Sequence, residues 1–472
     1  MPYVEGFGTW PFGEEWLWEA VATVYLPLLD LLEATEAPLT IGLTPVLCDQ
    51  LETLPGPAGD RLRDFLCGTT RTVHEEDASE LERGGAGDLA AEVRRAGRDY
   101  DRAIERLDAR GGDLLVAFAE LGAGGAAELW TSTATHALLP LLASDAGRRL
   151  QVGTGVGAHE RRFGGFGGGF WLPECAYEPG LQHELSGHGV RAFCVDQSAA
   201  HGVGAAEQLE PVATATGVVA VPIDWLTIEL VWDLHTGYPS HPAYRDYHRR
   251  TIHDRRPWST AGDPYRPANA RAVAAEHARD FVARCLERLG AHARERGTAG
   301  LLCCALDTEL LGHWWYEGQL WLRLVIDEAR AQGLELVTVS EGVERATPVE
   351  RELAPSTWGA GKDLSTWDSP QVAEITFAAR TAELRTVAAA ALRAEPPAAL
   401  RRAARELMAL QASDWAFQVT RELASDYPLR RVAAHAAALD AALAALTDSA
   451  SVPEPSLRNL APDLALAQIV AP

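Results

Sequence analysis

Two acidic residues, each directly after an apolar run and beside aromatic side chains, could carry out covalent chemistry in this chain. Glu174 lies in Trp-Leu-Pro-Glu-Cys-Ala-Tyr (171–177), and Asp307 lies in Ala-Leu-Asp-Thr-Glu-Leu-Leu-Gly-His-Trp-Trp (305–315). Two carboxyl groups in one cleft can cleave and re-form a glycosidic bond when about 5–5.5 Å separates them, one as nucleophile and one as proton donor. The alternative is that either acid caps the helix that follows it.

Aromatic residues close to predicted loops favour a sugar-binding cleft around these two acidic residues. The chain contains 14 tryptophans, whose flat rings stack on sugar faces while the indole N–H offers a hydrogen bond. Core packing is the alternative for each of them. The residues concerned are Trp314, Trp315, Tyr316, Trp358, Trp367 and Trp415.

Other kinds of site fit the sequence less well. His235, His241 and His248 form neither a His-x-His pair nor a His-x-x-x-His pair, so we expect no zinc site. The glycine-rich stretch 153–157 has no Lys-Ser or Lys-Thr pair after it, so it does not predict a phosphate loop. Ser132 lacks the Gly-x-Ser-x-Gly context of a serine hydrolase.

Composition narrows the substrate class and the compartment. The chain has 472 residues and a net charge of −24, which repels nucleic acids and anionic membranes but does not disfavour a neutral polysaccharide. Its seven cysteines form no Cys-x-x-Cys pair, and no signal-peptide pattern opens the sequence. We therefore expect a cytoplasmic protein with free thiols.

Alternating apolar runs and helical patterns must position the two acids. Each acid follows an apolar run, 170–173 or 301–306, and active sites of parallel barrels lie at the carboxyl ends of strands. Predicted strands are 39–47, 127–133, 190–196, 301–306 and 334–338. Predicted helices are 14–32, 75–110, 113–121, 135–143, 179–188, 270–297 and 321–332. This alternation of strands and helices predicts a mostly parallel sheet in the form of a barrel.

Two regions depart from the alternation. Residues 223–265 are rich in Trp, Tyr, His and Pro and are interpreted as an inserted loop region. Beyond about residue 370 only helices are predicted, at 381–394, 398–410 and 429–446. The predicted domains are a catalytic barrel (1–350), a connecting segment (351–372), a helical domain (373–450) and a loosely ordered tail (451–472).

Several separate short motifs, found in the same order along almost the whole chain, resemble those of glycoside hydrolase family 57, in particular its 1,4-α-glucan branching enzymes. These motifs are residues 8–16, 128–136, 171–177, 307–318, 358–363 and 410–415. The resemblance implies an α/β fold, an incomplete (β/α)7 barrel followed by a C-terminal α-helical domain. It implies no metal and no organic cofactor.

The resemblance also assigns roles to individual residues. Glu174 would be the nucleophile and Asp307 the general acid/base. The implied substrate-binding residues are Trp10, Trp16, Tyr238, His313, Trp314, Trp358, Asp414 and Trp415. The loop 237–242 would cover the cleft, with Tyr238 keeping water away from the glycosyl-enzyme.

The sequence departs from the family pattern at three places. Members of the family begin with an apolar strand that ends in His-x-His-Leu-Pro-Tyr. This sequence starts with Met1-Pro2-Tyr3, at the end of that motif. We therefore expect a barrel that lacks its first strand, and we favour a start site that was placed too late. His241 stands where Asp is common, and 163–165 reads Phe-Gly-Gly in place of Phe-Gly-Arg. The last two differences bear on substrate preference more than on reaction type.

The expected activity is cleavage of an α-1,4-glucan with transfer of the chain to a 6-hydroxyl, as in glycogen-type polysaccharide metabolism. Two alternatives remain open: an amylase-like hydrolase of the same family, and a catalytically impaired glucan-binding protein, which the missing His-x-His segment motivates. The expected partner is an amylose-like or glycogen-like glucan, and the sequence leaves the oligomeric state open.

Overall fold

A computed structural model describes residues 1–9, 12–393, 396–448 and 458–469. It contains one seven-stranded sheet in the order β1-β2-β3-β4-β6-β5-β7, in which only the β5–β6 pair is antiparallel. The strands are β1 Leu39–Gly42, β2 Ala127–Ser132, β3 Gly169–Trp171, β4 Ala192–Val195, β5 Val212–Ala213, β6 Val219–Pro222 and β7 Val349–Glu350. Among the described residues β1 and β7 do not pair with each other, so the sheet is open. The α/β class is confirmed.

The central strands are apolar on both faces, as is usual for a parallel sheet covered by helices. Phe170 on β3 and Phe193 on β4 are buried and stand at paired positions in the register. Gly169 is needed where β3 passes Trp130, because a Cβ there would lie 2.0 Å from the indole Nε1. This tight crossing fixes β3, and therefore the segment that follows it, against β2.

Eighteen α-helices surround or follow this sheet in the described part of the chain. The helices of the first half are α1 Glu14–Ala20, α2 Leu26–Thr35, α3 Pro45–Leu51, α4 Pro57–Asp64, α5 Arg71–Arg83, α6 Gly87–Ala109, α7 Leu114–Ala123, α8 Asp145–Phe163 and α9 Leu181–Gly187. The helices of the second half are α10 Ser198–His201, α11 Trp225–Trp232, α12 Pro267–Arg296, α13 Gly318–Gln332, α14 Val339–Arg345, α15 Ala373–Ala391, α16 Ala398–Leu410, α17 Ser413–Thr420 and α18 Tyr427–Asp448.

Several of these helices begin at a side-chain cap. Asp113 accepts a hydrogen bond from the N–H of Val116 at the start of α7, and Asp224 caps α11 in the same way. Such caps satisfy amide groups that have no partner within the helix. Between α1 and α2 the chain forms a π-helical turn, Val21–Tyr25, which turns Tyr25 toward the site described below.

Two predicted strands are wrong. Residues 301–306 and 334–338 carry no strand assignment, although both lie at the wall of the central cleft. With the rest of the described chain, residues 301–306 make only isolated backbone hydrogen bonds, from the Leu301 N–H to the Leu209 carbonyl and from the Asp224 N–H to the Cys303 carbonyl. An apolar run predicts burial, but a strand also needs a continuous ladder of backbone partners.

Other boundaries also shift. The predicted helix 135–143 is only a short 3-10 turn, Leu139–Leu141, because His136 has left-handed backbone angles and a proline follows at 140. The predicted strand 39–47 stops at residue 42, and the predicted helix 75–110 is interrupted near Gly85, whose φ is positive. The inserted region 223–265 contains α11 and one 3-10 turn.

The predicted helical part after residue 370 is confirmed as α15 to α18. Leu400, Leu407 and Leu439 are fully buried in its core. Within the predicted tail, residues 458–469 pack onto this core through Leu466 and Ile469, whereas 451–457 and 470–472 lie outside the described residues. Within the described chain, every helix is too short or too polar to cross a membrane.

Candidate active site

Glu174 lies immediately beyond β3, in a tight turn with left-handed backbone angles. Its φ and ψ are 59° and 22°, and Cys175 also has a positive φ of 50°. Two successive non-glycine residues in this region cost free energy, which the surrounding contacts must compensate. The Trp358 N–H donates to the Glu174 carbonyl at 2.9 Å and holds the turn. The strained backbone therefore aims the carboxyl group into the cleft.

Trp358 also binds the Glu174 side chain. Its indole Nε1–H donates to Glu174 Oε2 at 2.7 Å, and its ring packs edge-on against Trp171 with 5.0 Å between ring centroids. A donor to a carboxylate favours the ionised form. The indole therefore both orients Glu174 and supports its negative charge.

His136 faces the other oxygen of Glu174. The imidazole Nδ1 lies 3.8 Å from Glu174 Oε1 and 2.8 Å from the Ser413 hydroxyl. Burial lowers the pKa of His136 to about 4, so the ring is neutral near neutral pH. His136 was not among the predicted site residues, although it is the last residue of the motif 128–136. Its position qualifies it to contact a sugar bound at Glu174.

Asp307 follows the apolar segment 301–306 and precedes the 3-10 turn Thr308–Leu310. No described side chain or backbone amide donates a hydrogen bond to its carboxyl group. Burial, and next the negative charge of Glu309, raise the pKa of Asp307 to about 7. Glu309 in turn accepts a hydrogen bond of 2.7 Å from the Tyr25 hydroxyl. Sequence reasoning did not identify Glu309 or Tyr25 as parts of the site.

The two carboxyl groups are electrostatic neighbours. Burial raises the pKa of Glu174 to about 8, and the negative charge of Asp307 is the next contribution. Both groups cannot ionise together without a penalty, so the pair holds one proton near neutral pH. Glu174 accepts a hydrogen bond from Trp358, which favours its ionised form, whereas Asp307 accepts none from the described residues.

The segment that carries Trp358 is tied to the end of β4. Lys362, the only lysine of the chain, forms an ion pair of 2.9 Å with Asp196 and lies 3.1 Å above the Trp225 ring centroid. Trp225 donates its indole N–H to the same carboxylate. This network holds residues 358–362 beside Glu174. No pattern in the sequence pointed to this network.

Glu174 and Asp307 both line one large cleft, whose volume is about 2390 Å³. Its lining includes these residues that were predicted for the site: Trp16, Glu174, Asp307, His313, Trp314, Trp358 and Asp414. The Oδ2 atom of Asp414 is buried without a partner among the described residues, while Oδ1 lies 3.6 Å from the Met1 α-ammonium. A free acceptor at this place can bind a sugar hydroxyl.

Tyr238 does not line the cleft in this structure. Its side chain is buried, its hydroxyl donates to Asp280 on α12 at 2.6 Å, and its ring stacks on His277 with 4.4 Å between centroids. The neighbouring Pro239 and Ser240 do face the cleft. The water-excluding role implied for Tyr238 therefore requires its hydroxyl to leave Asp280.

Trp415 differs from its expected position. It is fully buried in the core of the helical part, where its indole N–H donates to the Ala409 carbonyl at 2.7 Å. Such a ring supports the wall behind Asp414 but offers no face to a sugar. Trp10, which was also expected to line the cleft, lies outside the described residues.

The donor atoms in the described part of the chain do not form a metal centre. No group of three or more His, Cys, Asp or Glu side chains converges there in a way that could hold an ion.

Comparison with known proteins agrees with this geometry. Residues 1–355 match the family model of glycosyl hydrolase family 57, and residues 377–465 match that of the 1,4-alpha-glucan branching enzyme C-terminal domain. The chain is 32% identical to the 1,4-alpha-glucan branching enzyme of Thermococcus kodakarensis, over 92% of this chain and 70% of that protein. It is also 32% identical to a probable 1,4-alpha-glucan branching enzyme of Mycobacterium tuberculosis, over 92% of this chain and 88% of that protein.

Solved structures give the same result. The GH57-type branching enzyme of Pyrococcus horikoshii superposes with a TM-score of 0.92 at 30% identity, covering 100% of this chain and 95% of the other. The α-amylase AmyC of Thermotoga maritima, at 24% identity and a TM-score of 0.83, covering 100% of this chain and 97% of the other, shares the fold. On the match over residues 1–355 and the position of its two carboxyl groups, the chain belongs to glycosyl hydrolase family 57.

Proposed function

We propose that this protein is a 1,4-α-glucan branching enzyme that works by a retaining double displacement. The observation that carries the proposal is the pairing of two half-buried carboxyl groups in one cleft, with Glu174 held by the Trp358 indole and Asp307 without a donor among the described residues. The similarity to branching enzymes along both the catalytic and the C-terminal parts supports the choice of reaction.

In the first half of the reaction, ionised Glu174 attacks the anomeric carbon of an α-1,4 linkage. Asp307 donates its proton to the glycosidic oxygen, which leaves as the 4-hydroxyl of the released chain. A covalent glycosyl-enzyme forms on Glu174 and Asp307 becomes the carboxylate. Burial and the charge of Glu309 keep Asp307 protonated before this step, as a general acid requires.

In the second half, the 6-hydroxyl of another glucan chain attacks the glycosyl-enzyme. Asp307 now accepts the hydroxyl proton, the bond to Glu174 breaks, and an α-1,6 branch forms. Each residue returns to its starting state. His136 and Asp414 present polar atoms near Glu174 and are proposed to hold hydroxyls of the donor sugar.

Transfer wins over hydrolysis only if water is kept from the glycosyl-enzyme. The proposed device is the loop 237–242, whose residues Pro239 and Ser240 already face the cleft. Since Tyr238 itself is directed onto α12, a hydrolase of the same family is the second candidate. The substrate of either enzyme is a neutral α-glucan, consistent with the chain's charge of −24.

A cytoplasmic location is part of the proposal. All seven cysteines are free thiols, which is the state favoured in a reducing compartment. Glycogen-type polysaccharide is the corresponding substrate.

The test is incubation with amylose, followed by enzymatic debranching and chain-length analysis. A branching enzyme produces new α-1,6 linkages without a matching rise in reducing ends, whereas a hydrolase releases reducing ends. The Glu174→Gln variant retains the size of the side chain and an acceptor for Trp358, so it should fold normally and lose nearly all activity. Substantial branching by that variant would rule out Glu174 as nucleophile.

A further inference from the structure

Three exposed apolar side chains border the cleft. Trp232 and Trp314 are each 37% exposed, and Leu234 is 84% exposed. The two indole rings approach to 6.0 Å between centroids at an angle of 56°. All three residues border the cleft that contains Glu174 and Asp307. We call Trp232, Leu234 and Trp314 the rim cluster.

The backbone holds this cluster in place. Trp232 ends α11, and the next residue, Asp233, accepts hydrogen bonds at 2.9 and 2.7 Å from the N–H groups of His235 and Thr236. The Gly237 N–H donates to the Asp233 carbonyl, and a Cβ at 237 would lie only 2.4 Å from that oxygen. The turn that presents Leu234 to solvent is therefore fixed rather than loose.

Trp314 joins the rim cluster from a different part of the chain, close to Asp307. It lies in the loop that runs from Asp307 to α13, and its N–H donates to the Glu309 carbonyl. A ligand seated on the rim cluster would therefore be continuous with the reacting centre. The indole pair has no role in fixing either carboxyl group, since the Glu174 donor is Trp358.

We propose that the rim cluster is a second glucan-binding surface, which holds part of an α-1,4-glucan chain beyond the sugars that react. This inference rests on the proposed function and assigns it a preference for long chains. Aromatic rings held at an angle suit a curved chain of sugars, because successive glucose units present their apolar faces in different directions. A docked second copy would bring together two acidic proteins of charge −24, which the mutual repulsion disfavours.

The experiment measures binding without turnover, in the Glu174→Gln background. Adding Trp232→Ala should weaken the affinity for amylose by about two- to tenfold, the range expected for loss of one stacked ring, and leave the affinity for maltotriose unchanged. Trp232→Phe should restore most of the amylose affinity, since a phenyl ring can still stack. Phe377→Ala is the matched control, because Phe377 is an exposed aromatic residue (68%) on α15; it should bind amylose like the parent.

Three results would overturn the proposal. The first is unchanged amylose affinity in Trp232→Ala. The second is an equal loss for amylose and maltotriose, which would indicate a distorted cleft. The third is a lower mass of Trp232→Ala in light scattering with unchanged glucan binding, which would assign the rim cluster to a second copy. Branching by the parent chain is measured separately, so a chain that does not branch but binds amylose through Trp232 refutes the proposed function alone.

Discussion

The hydrogen bond from the Trp358 indole to Glu174 offers the most direct test of which carboxyl group, Glu174 or Asp307, carries the negative charge. Replacing Trp358 by Phe removes the 2.7 Å donor while retaining an aromatic ring beside Trp171. A hydrogen bond to a charged group contributes about 1.5–3 kcal/mol. Its loss should raise the pKa of Glu174 further above its already elevated value, because only the ionised form benefits from the donor.

The assay is the pH dependence of kcat/KM on amylose. The acidic limb reports ionisation of Glu174, the proposed nucleophile, so it should move toward alkaline pH by about 1–2 pH units in Trp358→Phe. Near neutral pH this corresponds to about a ten- to hundredfold loss of activity, which rising pH should partly restore. Trp171→Phe controls for a change of ring size at the same wall and should move the limb much less. An unchanged limb in Trp358→Phe, with activity lost equally at every pH, would refute the assignment of the proton to Asp307.

Three further outcomes are expected. Glu309→Gln removes the negative charge that raises the pKa of Asp307, so the alkaline limb of kcat/KM, where Asp307 loses its proton, should shift to lower pH; a shift to higher pH would contradict this. Tyr238→Phe should raise the ratio of reducing ends to α-1,6 linkages if the loop excludes water, and an unchanged ratio would remove Tyr238 from that role. Gly169→Ala should lower the free energy of unfolding by about 1–3 kcal/mol in a denaturant titration, since the new methyl group collides with Trp130; wild-type stability would show that β3 can shift.

The positions of the two acids were predictable because each follows an apolar run and lies among aromatic residues. Their detailed environment was not predictable. Trp358 reaches Glu174 across 184 positions of sequence, and nothing in the local pattern around either residue encodes that contact. The left-handed backbone at Glu174 is equally hidden, because glutamate has no preference for it and only the assembled turn imposes it.

The aromatic residues show the limit of composition as a guide. Trp314 and Trp358 line the cleft as expected, whereas Trp415 is used in the core of the helical part. Both uses give the same sequence signal, an indole near a loop, because tryptophan is apolar enough for either. Apolar runs were ambiguous in the same way: residues 190–196 contain a strand and residues 301–306 do not.

The solitary lysine gives this enzyme an unusual chemical handle. Acylating reagents modify only uncharged amines, so apart from the α-amino group they have one target, Lys362, which the Asp196 carboxylate and the Trp225 ring now shield. Its labelling rate, followed by mass spectrometry, therefore reports how accessible the amine of the segment 358–362 is beside Glu174. The same rate measured with glucan present would report whether the bound polysaccharide displaces the segment 358–362 or leaves it in place.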